Sequence, residues 1–335
     1  MTQGEPRFAF APSMQRGSNI DRRMHAALAD SLRYLTTAVP ELAQRAGLSP
    51  DEVDRQLARL VEQRFAPSVF ARYYDLVPLV EGDRLEAAAD QFGIIVRAEP
   101  LTADRLRICG IEDPPLADVA DLYRSKLDTD PTTDFRLLQP DEGDLDRAQR
   151  VLDSAMRRFE NVVADGFAEL RATVSEVVIA VGEPGSSYQF GGASSFMLWG
   201  ALFLNAQRME DERAVTISLM HEAAHTLLFG HAIDEPLVLN GDDERYDSPL
   251  RSDPRPMDGI FHATFVSARM HHALAQLLES DSLSDDEREQ TLGEQERSRR
   301  AFHDGLKVVR EHGQLTRTGQ EIMRAAEAYI ATNTQ

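Results

Sequence analysis

Between Ala214 and Phe229 the chain is apolar apart from small hydroxyls and one cluster, His221-Glu222-Ala223-Ala224-His225. The run reads as helix, carried in by Ala214 to Met220 and carried on by Thr226 to Phe229. On a helix, residues four apart share a face, so the imidazoles of His221 and His225 can reach one metal ion. Glu222 projects from the adjacent face, where a carboxylate can take a proton from metal-bound water. The bland reading is a buried helix with two satisfied histidines. The apolar flanks favour a metal site.

The rest of the chain narrows which metal chemistry is open. At 335 residues it has room for one large or two ordinary domains, and 42% apolar with 27% charged residues is a globular composition. A formal charge of −20 argues against a nucleic-acid partner, since phosphate binding needs concentrated Lys and Arg. No stretch reads as a signal peptide or a membrane span, which points to the cytoplasm and away from a membrane. Cys109 is the only cysteine, so neither an intrachain disulfide nor a thiolate cage is available. Any ion must be held by His, Asp or Glu.

The expected fold class is α+β, mostly α: a zincin-like metal-site helix beside a small mixed sheet, with a helical N-terminal region. Residues 1–18 read as a flexible arm, 19–130 as a helical region able to form a peptide-binding layer, and 131–335 as the catalytic HExxH domain. Within 19–130, Ser49-Pro50-Asp51-Glu52 marks a helix start, with Ser49 as N-cap and Pro50 in the first position. Ile94 to Val96 and Leu106 to Cys109 read as short strands. A long helix is expected from Asp144 to Leu170, then a buried strand from Val174 to Gly182. Phe196 to Asn205 reads as one or two strands, placed where a zincin pairs with an extended peptide. The acidic stretch from Ala232 to Arg255 reads as a functional loop, followed by an amphipathic helix from Pro256 and two further helices.

Two histidines need at least one more ligand. His231 stands six residues after His225, the metzincin spacing, but Leu228 occupies the position where that motif turns on a glycine. His262 is the better candidate, because it sits on the apolar helix after the loop, between Phe261 and Ala263. In Ser248-Pro249-Leu250-Arg251-Ser252-Asp253-Pro254-Arg255-Pro256, two prolines lock Arg255 and leave its guanidinium placed for a planar carboxylate. The alternative for Arg255 is a structural salt bridge.

HExxH, then a loop ending P-x-R-x-D-P-R-P (Pro249 to Pro256), then a G-I-F-H-A-x-F-V helix (Gly259 to Val266), resembles one family. These are the HExxH-type, 2-oxoglutarate- and iron-dependent peptide β-hydroxylases of ribosomal peptide natural-product maturation (RiPP biosynthesis). The resemblance covers His221 to Arg269 well and the preceding strand region loosely. It implies an oxidoreductase, a dioxygenase that hydroxylates a side-chain β-carbon in a precursor peptide. It also implies Fe(II) held by His221, His225 and His262, with 2-oxoglutarate chelating the ion and Arg255, or Arg251 nearby, gripping its far carboxylate. Glu222 would then be a hydrogen-bond partner of the centre. The alternative from the motif alone is a zincin-type zinc peptidase with Glu222 as general base. A non-catalytic peptide-binding scaffold is the third reading.

Overall fold

The computed structural model describes residues 8–102, 106–127, 136–184, 190–248 and 253–333. Among them the chain is mostly helical, with one small mixed sheet, so the α+β, mostly-α class holds. The first helices are α1 (Met14–Ala38), α2 (Glu41–Arg45), α3 (Pro50–Glu62), α4 (Pro67–Glu81) and α5 (Leu85–Val96). The middle of the chain forms β1 (Arg107–Gly110), α6 (Ala120–Leu127), β2 (Leu137–Leu138), α7 (Glu142–Val162) and α8 (Ala164–Thr173). Next come β3 (Glu176–Gly182), β4 (Gly192–Ser194) and β5 (Ala201–Asn205). The chain closes with α9 (Glu212–His231), α10 (Met257–Glu279), α11 (Asp285–His312) and α12 (Arg317–Thr332). No helix among the described residues is long and apolar enough to cross a membrane.

The chain divides into two compact units, each assembled from separated stretches. One comprises Met1–Arg16, Val151–Leu170 and Glu210–Gln335; the other comprises Gly17–Arg150 and Arg171–Met209. These limits differ from the boundaries at 18/19 and 130/131 expected from the sequence.

The unit built from Gly17–Arg150 and Arg171–Met209 holds the sheet. Its strand order is β1-β3-β5-β4, with β2 also paired to β3. The β1–β3 and β3–β5 pairs are parallel, with Cys109 opposite Val178 and Val178 opposite Phe203. The β2–β3 and β4–β5 pairs are antiparallel. Val177 to Ala180 and Ala201 to Asn205 are buried throughout, which is why both strands read as unbroken apolar runs rather than alternating ones. Gly200 turns the chain into β5 at φ +93, a left-handed conformation that a side chain would strain. Glu176 is fully buried at the head of β3, where it accepts from Arg107 Nη1 at 2.6 Å and from Tyr123 Oη at 2.7 Å. Burial raises its carboxyl above the usual range against the pull of both donors. Cys109 is buried on the neighbouring strand, and desolvation pushes its thiol up to about 12, far from a reactive thiolate.

Several local expectations are met and several are corrected. Ser49 and Glu52 form a complete capping box at the start of α3. Ile94 to Val96 is not a strand but the last turn of α5: Phe92, Ile95 and Val96 continue the helical stripe of Ala88 and Ala89. Gln56 then ties off that end by donating to the carbonyls of Ile95 (3.2 Å) and Ala98 (2.9 Å). The helix expected over 144–170 is broken at Val163 into α7 and α8. Only Ala201 to Asn205 of the 196–205 segment is extended, because the Ser195 hydroxyl caps a tight helical turn at Phe196–Leu198.

His25 anchors α1 within the same unit. Its Nε2 accepts from the Phe65 amide at 3.0 Å, so Nδ1 carries the proton and donates to the Asp21 carbonyl at 2.9 Å. The Asp21 carboxylate in turn accepts from Trp199 Nε1 at 2.9 Å and pairs with Arg64 at 3.2 Å. Burial lowers the His25 pKa below its ordinary 6.5. The unfolded chain protonates near that value and the folded chain does not, so stability is whole above it and declines as pH falls below it. Urea unfolding at about pH 7.5 and 5.5 should show this loss, up to ~1.4 kcal/mol per pH unit for one group. A His25→Gln variant should show a shallower pH dependence than the wild type, which separates His25 from the other histidines whose pKa values are lowered.

In the other unit, α10 packs against α9, α11 and α12. Its Ile260, Phe261, Phe265, Leu274 and Leu277 are almost wholly buried. The arm expected to be flexible over 1–18 is packed here from Phe8 onward; residues 1–7 lie outside the described residues. Phe8 and Phe10 are buried, and the Phe10 ring stacks on Tyr329 at 4.5 Å. Arg269 Nη1 donates to the Phe10 carbonyl at 2.8 Å, while its Nη2 pairs with Glu169. Glu169 also accepts from the Ser13 amide at 2.9 Å and from Arg16 Nε at 3.1 Å. A carboxylate buried this deeply is tolerated because two guanidiniums and an amide satisfy it.

Candidate metal centre

Helix α9 starts at Asp211, whose carboxylate caps the Ala214 amide at 2.7 Å. Its first turn is held by Glu212, which accepts from Ser154 (2.7 Å) and Arg158 (2.9 Å), and by Arg213, which reaches Gln290 (2.9 Å) and Glu294 (3.0 Å). Beyond that turn, Leu219, Met220, Ala224, Leu227 and Leu228 are buried. The helix is therefore fixed at its head and packed along its length, and it carries His221 and His225 on a rigid frame.

Those two rings meet. His221 Nε2 and His225 Nε2 lie 3.2 Å apart, with ring centroids at 5.0 Å. Desolvation holds His221 down to about 4 and His225 well below its usual value, the latter helped by the neighbouring imidazoles. Both rings are therefore neutral near pH 7, the form that offers a lone pair to a metal ion. Two imidazole nitrogens each at 2.0–2.1 Å from one ion stand roughly 2.8–3.4 Å apart for bond angles between octahedral and tetrahedral. The observed pair fits that donor geometry. Glu222 is buried on the same helix.

His262 is buried on α10 and does join the cluster, but from the other side. Its Nδ1 lies 3.1 Å from His225 Nδ1, the rings are within 19° of parallel, and Phe229 stands 5.3 Å from the His262 ring. One imidazole cannot turn both nitrogens to the same ion, so His262 does not converge with His221 on a single point. Among the described residues, no group of three or more His, Cys, Asp or Glu is arranged to hold a metal ion. His231 ends α9, where its ring meets Phe8 edge-on at 4.9 Å.

Arg251 lies outside the described residues. Arg255 is pinned by its backbone: its amide donates to the Tyr246 carbonyl at 2.8 Å and its carbonyl accepts from the Tyr246 amide at 2.9 Å. Tyr246 itself stacks on His312 and accepts from Asn240. The loop before it is stitched to the start of α12 through Leu237, whose carbonyl accepts from the Thr316 amide at 3.2 Å. Gly319 admits that approach, since a Cβ there would stand 2.2 Å from the same carbonyl oxygen. The Arg255 guanidinium pairs with the Asp253 carboxylate at 2.6 Å, the structural salt bridge that the sequence left as its alternative role. Its Cβ lies 3.8 Å from where a side chain on Gly259 would begin, on the α10 face that three residues later presents His262.

Sequence reasoning missed Asp258, whose Oδ1 is 3.9 Å from His262 Nε2. The signal was present, since Asp and His four apart on a helix share a face. No protein-family model matches the chain, and no curated protein matches it.

Proposed function

We propose that this chain is an Fe(II)- and 2-oxoglutarate-dependent hydroxylase acting on a ribosomally made precursor peptide in the cytoplasm. The observation that carries the metal is the pair of neutral imidazole nitrogens 3.2 Å apart on one helix face. The family resemblance around Asp253-Pro254-Arg255-Pro256 then selects iron and a 2-oxoacid over zinc. Bound there, ferrous iron with 2-oxoglutarate and dioxygen supplies the oxidising power to hydroxylate a side-chain β-carbon. His221 and His225 hold the ion through Nε2. Arg255 takes the far carboxylate of the cosubstrate in place of Asp253, a guanidinium–carboxylate pairing that fixes orientation as well as affinity. Glu222 supports the centre from α9; in a zinc peptidase the same carboxylate would serve as general base.

Anaerobic loading with Fe(II) followed by 2-oxoglutarate tests this reading. A weak visible charge-transfer band is expected in the wild type. Arg255→Ala should weaken cosubstrate binding by roughly ten- to a hundredfold, the worth of charge-assisted hydrogen bonds. Absence of the band, with tight zinc binding and cleavage of a peptide library, would return the chain to the peptidases.

A further inference from the structure

The contact between His225 and His262 runs edge to edge through their Nδ1 atoms, and proton counting gives it a direction. A neutral imidazole carries one N–H. If His225 turns its Nε2 lone pair toward an ion shared with His221, its proton must sit on Nδ1. That N–H points away from the ion and needs an acceptor. His262 Nδ1 stands there at 3.1 Å, a hydrogen-bonding separation. Accepting places the His262 proton on Nε2, which faces the Asp258 carboxylate at 3.9 Å, one helical turn earlier. Burial and the Phe229 ring hold the His262 imidazole in that orientation.

We propose that His262 is a positioning residue, not a third ligand: it accepts the Nδ1 proton of His225 and so keeps the His225 Nε2 lone pair aimed at the ion. This rests on a metal at His221 and His225, and on neither the identity of that metal nor the reaction it serves. The arrangement extends the usual pairing of a metal-bound histidine with a carboxylate or carbonyl by inserting a second imidazole, in the order Asp258, His262, His225, ion. Recruiting His262 as a ligand would require its ring to leave His225, stranding the Nδ1–H that the contact now satisfies. The side chains therefore supply two imidazole donors, and the remaining positions on the ion belong to other ligands.

Counting imidazoles decides the matter. The intact protein is loaded with Cu(II), and pulsed EPR reads the remote ring nitrogens of the coordinated histidines. Two imidazoles are expected in the wild type, in His262→Asn and in His262→Leu. Metal affinity should fall roughly ten- to a hundredfold in His262→Leu, the usual cost of losing such a partner. His262→Asn keeps an acceptor near the Nδ1 position and should restore affinity. The quadrupole coupling of one remote nitrogen should shift in His262→Leu and return in His262→Asn, which a merely structural role for His262 would not produce. Three imidazoles in the wild type, falling to two in both variants, would overturn the proposal. A wild-type protein whose Cu(II) binding is unchanged by His221→Ala would overturn the metal site itself, and this assignment with it.

Discussion

His225→Ala is expected to lose transition-metal binding almost completely, by roughly a thousandfold or about 4 kcal/mol. The reason is that His225 is the member of the cluster that touches both other histidines, through Nε2 on one side and Nδ1 on the other. Its removal takes one nitrogen of the His221–His225 pair and also the contact with His262. Thermal unfolding with and without Co(II) gives the readout. An ion present at a hundred times its Kd stabilises the folded wild type by about 2.7 kcal/mol, and the variant should gain nothing. A variant that still gains this increment would place the ion elsewhere. His221→Ala should behave likewise, whereas His231→Ala should keep the increment, because His231 packs on Phe8 rather than on the pair.

The second large effect is on stability. Glu169→Ala should cost about 3–5 kcal/mol, since removing one partner of a buried ion pair leaves the other charge uncompensated. Here two guanidiniums, Arg16 and Arg269, lose their carboxylate together, and the Ser13 amide loses its acceptor. Denaturant unfolding should show a lower midpoint at unchanged slope, and amide exchange should quicken around Ser13. Replacing Glu169 and Arg269 together by Leu and Met should recover part of the loss, because an apolar pair needs no compensation. A loss below about 1 kcal/mol for the single variant would mean that Arg16 and Arg269 find water instead.

What the sequence disclosed followed from periodicity and from short-range chemistry. His221 and His225 were placed on one helix face by their spacing alone, and Ser49 with Glu52 announced a helix start that the structure builds in full. Val177 to Ala180 read as a strand because a parallel strand covered on both faces is apolar at every position. The misreadings arise where local composition is ambiguous. Ile94 to Val96 is as apolar as a strand, but it completes a stripe that began with Ala88. Residues 1–18 read as a loose arm, yet Phe8 and Phe10 are buried against rings more than two hundred positions away, His231, Phe265 and Tyr329. His262, expected as a third ligand, meets His225 at Nδ1 instead, because spacing carries no information about which ring nitrogen faces which neighbour.

The unit that holds α9 gathers stretches far apart in the chain, and this sets an order of events during synthesis. Phe10 and Arg269 are separated by 259 residues. At about 5–20 residues per second, roughly 13–50 s pass on the ribosome between the two. Through that interval Phe8 and Phe10 are apolar side chains on a nascent chain whose partners do not yet exist. His221 and His225 likewise emerge before α10 and its His262. Completion of the histidine cluster and burial of Phe8 and Phe10 therefore wait for α10 and α12, after the sheet-bearing unit has every residue it needs. Loss of α12 would strip Tyr329 from Phe10, so damage to that helix is felt more than three hundred residues earlier.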